Sequence, residues 1–283
     1  MGCSAVVCTD GRKPDLLRKC IDSLSRQTYR DLEVICVSSV SGLPAEVADK
    51  CRVIVEKEKG VSLAKNVGIR ESVHDKIALT DDDCVCDPDW VENLTSEFED
   101  ERVGCVTGGS LPTREGLWYA STRWEAKRKV FGKGDGFTPP WLMGAGNNIC
   151  LRKEAVVKIG LFDENLGPGT RFRGAEDMDV FHRMIEAGYH VVYTPNAIVH
   201  HEPLDTYDQL KRMMSGYRIG LGAFFAKNRS SKDVRTYFFK EVLRSHLRNS
   251  RNNLLRGDAD MGYLYFIGFI GALRGYLGYV LAQ

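Results

Sequence analysis

The 283-residue sequence contains no Cys-x-x-Cys pair, no Gly-Lys-Ser/Thr tripeptide, no Gly-x-Gly-x-x-Gly opening its first helix and no apolar run long enough to cross a bilayer. Each absence removes a class of protein. The nine cysteines, at 3, 8, 20, 36, 51, 84, 86, 105 and 150, are odd in number and sit mostly inside apolar runs. They read as small apolar residues of a reduced, cytoplasmic compartment and not as a disulfide framework. ATPase and simple dinucleotide-binding readings lose support without their glycine-rich loops. The longest apolar stretch, Met261 to Leu273, holds 13 residues, whereas a spanning helix needs about 20. Met1 to Thr9 lacks the charged and long apolar regions of a secretory leader, so the first strand is expected to open the chain. No RNP, zinc-finger or helix-turn-helix signature is present, and nucleic acid is not an expected partner.

What is present is an ordinary globular composition, 43% apolar and 27% charged, with a net charge of +1 that conceals two halves. Residues 1–203 hold 26 Lys/Arg against 32 Asp/Glu, and residues 204–283 hold 13 against 6. An acidic body with a basic tail suggests a cation-assisted site in one part and an anionic surface met by the other.

Over the first 110 residues, short runs rich in Val, Ile and Cys alternate with stretches of helical period. That is the pattern of parallel strands buried on both faces and joined by crossover helices. Strands are expected at Ala5–Thr9, Leu32–Val37, Ile77–Thr80 and Val103–Thr107. Helices are expected after Pro14, over Val61–Arg70 and around Trp90, Leu94 and Phe98. From Leu111 to Pro140 the period fades while Gly, Pro, Trp and basic residues accumulate, as in a long functional loop. Order returns with Asn148–Leu151, a helix over Asp177–Ala187 stopped by Gly188, and two strands at His190–Tyr193 and Ile198–His201. The α/β pattern ends there, which places a domain boundary near Pro203 and divides the chain into 1–203 and 204–283.

Asp81-Asp82-Asp83 follows the expected strand Ile77–Thr80, so three carboxylates sit at the carboxyl end of a parallel strand, where open α/β sheets bind ligands. Crowded carboxylates raise one another's pKa unless a cation compensates, and a hard divalent ion does so while leaving positions for a diphosphate. A solvated acidic turn is the bland alternative. Glu176-Asp177 opens a helix, where acidic residues either cap the dipole or remove a proton from an incoming hydroxyl. His200-His201 ends the last strand, where an imidazole can complete a metal site with the Asp carboxylates. Gly144-Ala145-Gly146-Asn147-Asn148, preceded by Trp141, offers close backbone approach and an aromatic face for a sugar.

In their order along residues 4–203, these pieces resemble a family 2 glycosyltransferase of the GT-A fold. The matching segments are Ser23-Leu-Ser-Arg-Gln-Thr-Tyr29, Gly60-Val-Ser-Leu-Ala-Lys-Asn-Val-Gly68, the Asp-x-Asp at Asp81 and Asp83 followed by Asp87-Pro88, and Gly174-Ala-Glu-Asp177 with Asp179 and Arg183. The resemblance implies an α/β fold with a mostly parallel, Rossmann-like sheet and a metal-dependent, inverting transfer from a nucleotide-diphosphate sugar. It further implies Mg²⁺ or Mn²⁺ held by Asp83, with Asp81 near the ribose or bound through water and His200 as the late histidine; His201 takes that place if the register slips by one. Asp177 matches the catalytic base, with Glu176 orienting the acceptor or the base. Thr9, Lys65 and Asp82 fall on the donor side, and Trp141 and Asn147 on the acceptor side. Ser38-Ser39 departs from the family's usual carboxylates at the nucleotide base, and Asp10 is the substitute.

Residues 204–258 hold 12 Lys/Arg against 5 Asp/Glu, interleaved with Phe224, Phe225, Tyr237, Phe238, Phe239, Leu243 and Leu247. This reads as a helical extension seated on an anionic membrane surface at its inner face. Gly268, Gly271, Gly275 and Gly278 line one side of the following apolar helix, a stripe suited to interfacial insertion or to close packing on another helix. The acceptor expected from these features is a lipid-linked or cell-surface glycan. A nucleotidyltransferase and a catalytically silent sugar-nucleotide or membrane-binding module are the alternatives.

Overall fold

The computed structural model describes residues 2–115 and 123–282; part of the expected 111–140 loop lies outside them. Two compact units result: Met1–Asp163 with Asp177–Leu204, and Glu164–Glu176 with Asp205–Gln283. The second unit takes in Glu164–Glu176, which the sequence pattern assigns to the first. The reason is apolar: Leu166 and Phe172 are buried among Ile219, Ala223, Ala226 and Tyr279 of the C-terminal helices.

The first unit begins β1 (Cys3–Thr9), α1 (Pro14–Leu24), β2 (Leu32–Ser38), α2 (Ala45–Ala48), β3 (Arg52–Val55), α3 (Val61–Glu71) and β4 (Lys76–Asp81). There follow β5 (Cys84–Cys86), α4 (Trp90–Thr95), β6 (Val103–Pro112), β7 (Lys129–Phe131), β8 (Asn148–Arg152), α5 (Lys153–Lys158), α6 (Glu176–Glu186) and β9 (His190–His201). These strands make one nine-stranded sheet in the order β3-β2-β1-β4-β8-β6-β9-β5, with β7 also paired to β9. Strands β1, β2, β3, β4, β6 and β9 run one way, and β5, β7 and β8 run against them. The sheet is therefore mostly parallel, with helices covering both faces. Leu17, Ile21 and Leu24 of α1 and Trp90 and Leu94 of α4 bury one face. Ile69 of α3, Val156 of α5 and Val180, Phe181 and Met184 of α6 bury the other.

Seven of the nine cysteines are buried and all are free thiols. They fill the core as small apolar groups. Asn148 ties three strands to a helix. Its Nδ2 donates to the carbonyls of Gly109 at 2.8 Å and Ala197 at 2.9 Å, and its Oδ1 accepts from Trp90 Nε1 at 2.8 Å.

Several expected boundaries change. The two strands read at 190–193 and 198–201 are one strand, because a register shift against β6 between Thr107 and Gly109 absorbs Thr194-Pro195-Asn196. The strand expected at Val103–Thr107 runs on to Pro112.

The second unit is helical: α7 (Tyr207–Lys227), α8 (Lys232–Tyr237), a π-helical turn at Phe238–Leu243, α9 (Arg244–Leu255) and α10 (Ala259–Val280). Phe224, Phe225 and Phe238 are fully buried and form its core, so they do not serve the membrane face the sequence suggests for them. The glycine stripe of α10 packs within the chain. A Cβ on Gly275 would lie 1.9 Å from the Ile219 carbonyl oxygen, and one on Gly222 would lie 2.0 Å from that of Ala272. Small residues there let α7 and α10 cross at backbone distance. No helix among the described residues is long and apolar enough to cross a membrane.

Candidate active site

The carboxyl ends of β1, β4 and β9 gather most of the residues singled out in the sequence. Parallel pairing sets Cys8 of β1 beside Asp81 of β4, so the turn after β4 opens next to the loop after β1. Thr9 donates its hydroxyl to Asp82 at 2.5 Å and accepts from the Gly11 amide at 3.1 Å. Burial, with the charges of Asp83 and Asp81 added, lifts the Asp82 carboxyl to about 6 against the opposing Thr9 hydrogen bond.

Asp83 behaves in the opposite way. Burial would raise its pKa, but His201 and Lys13 overcome it and hold the carboxyl at about 2. His201 Nε2 lies 3.3 Å from Asp83 Oδ1, and Lys13 Nζ lies 2.9 Å from Oδ2. Burial works against charge on His201, and the Asp83 hydrogen bond and charge overcome it, so its pKa rises.

The two adjacent histidines meet different carboxylates. Antiparallel pairing sets Cys84 opposite His201 and Val85 opposite His200. Successive side chains of β9 point to opposite faces. His201 therefore meets Asp83, while His200 Nε2 lies 3.0 Å from Asp87 Oδ1. A one-residue register decides which of the two faces Asp83.

One potential ligand atom each from Asp83, Cys84 and His201 lie within 4.8 Å of one another. His201 Nδ1 is buried with no hydrogen-bond partner among the described residues. A low-pKa carboxylate and an imidazole form a donor set that fits Mg²⁺ or Mn²⁺. The Cys84 thiol, pushed well above its usual pKa by burial, is a weak contributor. A cleft of about 450 Å³ opens here, lined by Leu16, Lys19, Asp83, Val85, Thr113, Arg114, His200 and Glu202.

Lys65 is buried on α3, 5.3 Å over the Phe162 ring. Neighbouring Asn66 clamps the Phe162 backbone, donating to its carbonyl and accepting from its amide, both at 2.9 Å. Asp10 is half engaged elsewhere, accepting from Arg12 Nε at 2.6 Å. Ser38, at the departure from the family pattern, donates to the Val40 carbonyl at 2.8 Å and accepts from the Val40 amide at 3.2 Å, closing its own turn.

Asp177 stands at the start of α6, its Oδ1 accepting from the Met178 amide at 2.8 Å. A Cβ on Gly146 would lie 3.2 Å from Asp177 Oδ2, so the glycine lets the 144–147 loop close on this carboxylate. Asn147 follows, buried and donating Nδ2 to Ser110 Oγ at 3.1 Å. Trp141 lies half-buried in the 3₁₀ turn Pro140–Leu142 that leads into the same loop. Asp179 is fully buried and pairs with Arg183 at 2.6 Å, and Arg183 NH2 bonds the Leu161 carbonyl at 2.7 Å, so these two brace the turn after α5. In the second unit, Glu176 is buried, and Arg173 and Ala175, which precede it, both adopt positive φ, 61° and 68°. Non-glycine residues held in that region mark over-determined backbone, which concentrates at functional sites. Lys13, which pairs with Asp83, and Arg123, which is half-buried, carry no signal in the sequence beyond that of ordinary basic residues.

The family model for glycosyl transferase family 2 matches residues 4–160. The chain belongs to glycosyl transferase family 2. It is therefore a glycosyltransferase. Among curated relatives, the glucosyl-dolichyl phosphate glucuronosyltransferase of Haloferax volcanii is 24% identical over 229 residues, covering 71% of this chain and 69% of the relative. The pre-mycofactocin glycosyltransferase of Mycobacterium tuberculosis is 30% identical over 200 residues; the match takes in 66% of this chain and 40% of that protein. Among solved structures, the mannosyltransferase PcManGT of Pyrobaculum calidifontis, in complex with GDP-Man and Mn²⁺, aligns with a TM-score of 0.63 at 17% identity, covering 99% of this chain and 75% of that one. Staphylococcus aureus TarS 1–349 aligns at 0.58 and 11% identity, covering 100% and 92%. At these identities the structural likeness shows the fold alone, an α/β architecture of the GT-A type.

Proposed function

We propose that this glycosyltransferase is metal-dependent and inverting, moving a sugar from a nucleotide-diphosphate donor to a hydroxyl of a lipid-linked or cell-surface glycan. The observation that carries the proposal is the turn after β4, where a deeply ionised Asp83 meets His201 at the carboxyl edge of parallel strands. Asp83 and His201, with Asp81, would hold Mg²⁺ or Mn²⁺; the structural neighbour from P. calidifontis is described with Mn²⁺. When bound, the ion supplies neutralising charge for the departing diphosphate.

The chain's own residues do the rest. Thr9, Asp10, Lys65 and Asp82 line the donor side, with buried Lys65 as the fixed cation. Asp177 takes the proton of the acceptor hydroxyl. That oxygen bonds the anomeric carbon as the carbon–diphosphate bond breaks and its electron pair leaves on the phosphate oxygen. Glu176 has the role of orienting the base or acceptor, and Trp141 and Asn147 receive the acceptor sugar. The P. calidifontis neighbour described with GDP-Man, and a second structure of S. aureus TarS 1–349 described in complex with UDP, support a nucleotide donor.

Exposed Arg244, Arg248 and Arg251 recur along one side of α9 beside exposed Leu247, Leu254 and Leu255. This supports peripheral seating on the anionic inner face of the membrane, from the cytoplasmic side. The test is thermal stabilisation by UDP-, GDP-, dTDP- and CMP-sugars with Mn²⁺ and with EDTA, followed by product analysis. We expect one base to stabilise by about 2.7 kcal/mol at a hundred times its Kd, only with metal. Nucleoside diphosphate is the expected product; pyrophosphate would mean nucleotidyl transfer, and binding without turnover would mean a silent module.

A further inference from the structure

Two buried polar atoms near Asp177 have no hydrogen-bond partner among the described residues: Asn147 Oδ1 and Arg123 Nε. They meet through one strand. Asn147 donates to Ser110 Oγ, and Ser110 and Arg123 exchange both backbone hydrogen bonds at 2.8 Å. The segment carrying Arg123 is pinned on both sides. Trp124 lies against Gly109, where a Cβ would come within 2.7 Å of its ring, and donates Nε1 to the Pro195 carbonyl at 3.2 Å. The Glu125 amide donates to the Tyr193 hydroxyl at 2.8 Å.

The Arg123 guanidinium forms no ion pair among the described residues. Its neighbour Glu125 is taken by Lys129. Burial works against its charge, and Glu125, Tyr193 and Asp177 act on it only at a distance, through theirs. A half-buried guanidinium with no carboxylate in ion-pair contact is costly, and its planar fork matches the two oxygens of a carboxylate. Asn147 Oδ1 only accepts, so it calls for a hydroxyl. A neutral hexose satisfies the asparagine and leaves the arginine unpaired. A sugar bearing both a carboxylate and hydroxyls satisfies both.

We infer that Arg123 and Asn147 form a specificity site for a uronate-class sugar beside Asp177, an inference that rests on the proposed transfer reaction. The carboxylate belongs either to the donor sugar or to the acceptor's terminal sugar.

Titration calorimetry on the full chain with Mn²⁺ tests this in two arms. The donor arm compares UDP-glucuronate with UDP-glucose and GDP-mannuronate with GDP-mannose. The acceptor arm compares methyl glucuronide with methyl glucoside in the presence of nucleoside diphosphate. A charge-assisted bidentate contact predicts about 10- to 100-fold preference for the acidic member in one arm, which identifies the source. Arg123→Met is expected to bring that ratio close to one, and Arg123→Lys to keep part of it and to guard against a folding defect. Equal affinity for acidic and neutral sugars in both arms, or an undiminished preference in Arg123→Met, overturns the inference while leaving the transfer reading intact. Absence of binding by any nucleotide sinks both.

Discussion

The two units use buried polar groups and glycines in contrasting ways. In the first, polar side chains at strand ends are set against one another at short range: Asp82 raised, Asp83 depressed and His201 drawn to it, within three residues of the turn and one strand register. Its glycine at 146 gives a carboxylate room. In the second unit the glycines at 222 and 275 give backbone room to backbone, and the buried aromatics Phe224, Phe225 and Phe238 supply the core. One unit places charge for chemistry, and the other spends its sequence on helix contact. The difference teaches why the acidic body carries the candidate site while the basic charge of the tail lies on exposed helix surface.

The sharpest break of that contrast is Asp177→Asn. It removes a proton acceptor without changing shape, and transfer should fall about 10²- to 10⁴-fold with the melting temperature unchanged. Turnover close to normal would strip Asp177 of its role.

Next comes Gly275→Leu, which places a side chain where the Ile219 carbonyl already stands. Steric overlap of this kind should cost about 3 kcal/mol or more. Urea unfolding followed by helical circular dichroism should show the loss in the second unit, while nucleotide binding by the first persists. An unshifted midpoint would mean that α7 and α10 do not cross as described.

The third prediction concerns pH. Burial, reinforced by the Arg218 charge, lowers the His246 pKa from 6.5 to about 4. Between those values the unfolded chain binds a proton that the folded chain does not. The stability this group contributes is therefore complete above about pH 6.5 and is lost as pH falls toward 4, by about 2–3 kcal/mol. His246→Gln should flatten that slope in the second unit; a slope identical to the parent's would exclude His246 as its source.

The smallest effect is expected at the surface. Reversing Arg244 and Arg248 to Glu should weaken sedimentation with phosphatidylglycerol vesicles, each basic residue near the surface being worth about 1 kcal/mol, and leave the melting temperature in place. Retained binding would move the membrane contact away from α9.

Much of the first unit was legible because its signals are local. Apolar runs of Val, Ile and Cys marked β1, β2, β4 and β8, and Pro14 and Gly188 marked a helix start and stop. The short strands β5 and β7, three residues each, carry no periodic signal of their own and form by pairing with β9. The register of that pairing also chose His201 over His200, which adjacent identical residues cannot announce. Among the C-terminal aromatics the composition was right and the environment wrong. Phe224 and Phe225 are core, and Phe239 and Leu247 remain exposed.

By itself the sequence determined the alternation of strands and helices, the carboxylate triplet at a strand end, the Glu176-Asp177 pair at a helix start and the charge division near residue 204. All of these depend on neighbours within a few residues, where propensity and period act. Only the tertiary structure decided which histidine meets Asp83, that Gly146 closes on Asp177, that Arg123 and Asn147 share Ser110, and that 164–176 packs with the C-terminal helices. Those depend on strand register and on contacts between residues far apart in the chain, and a one-residue slip would send each side chain to the other face.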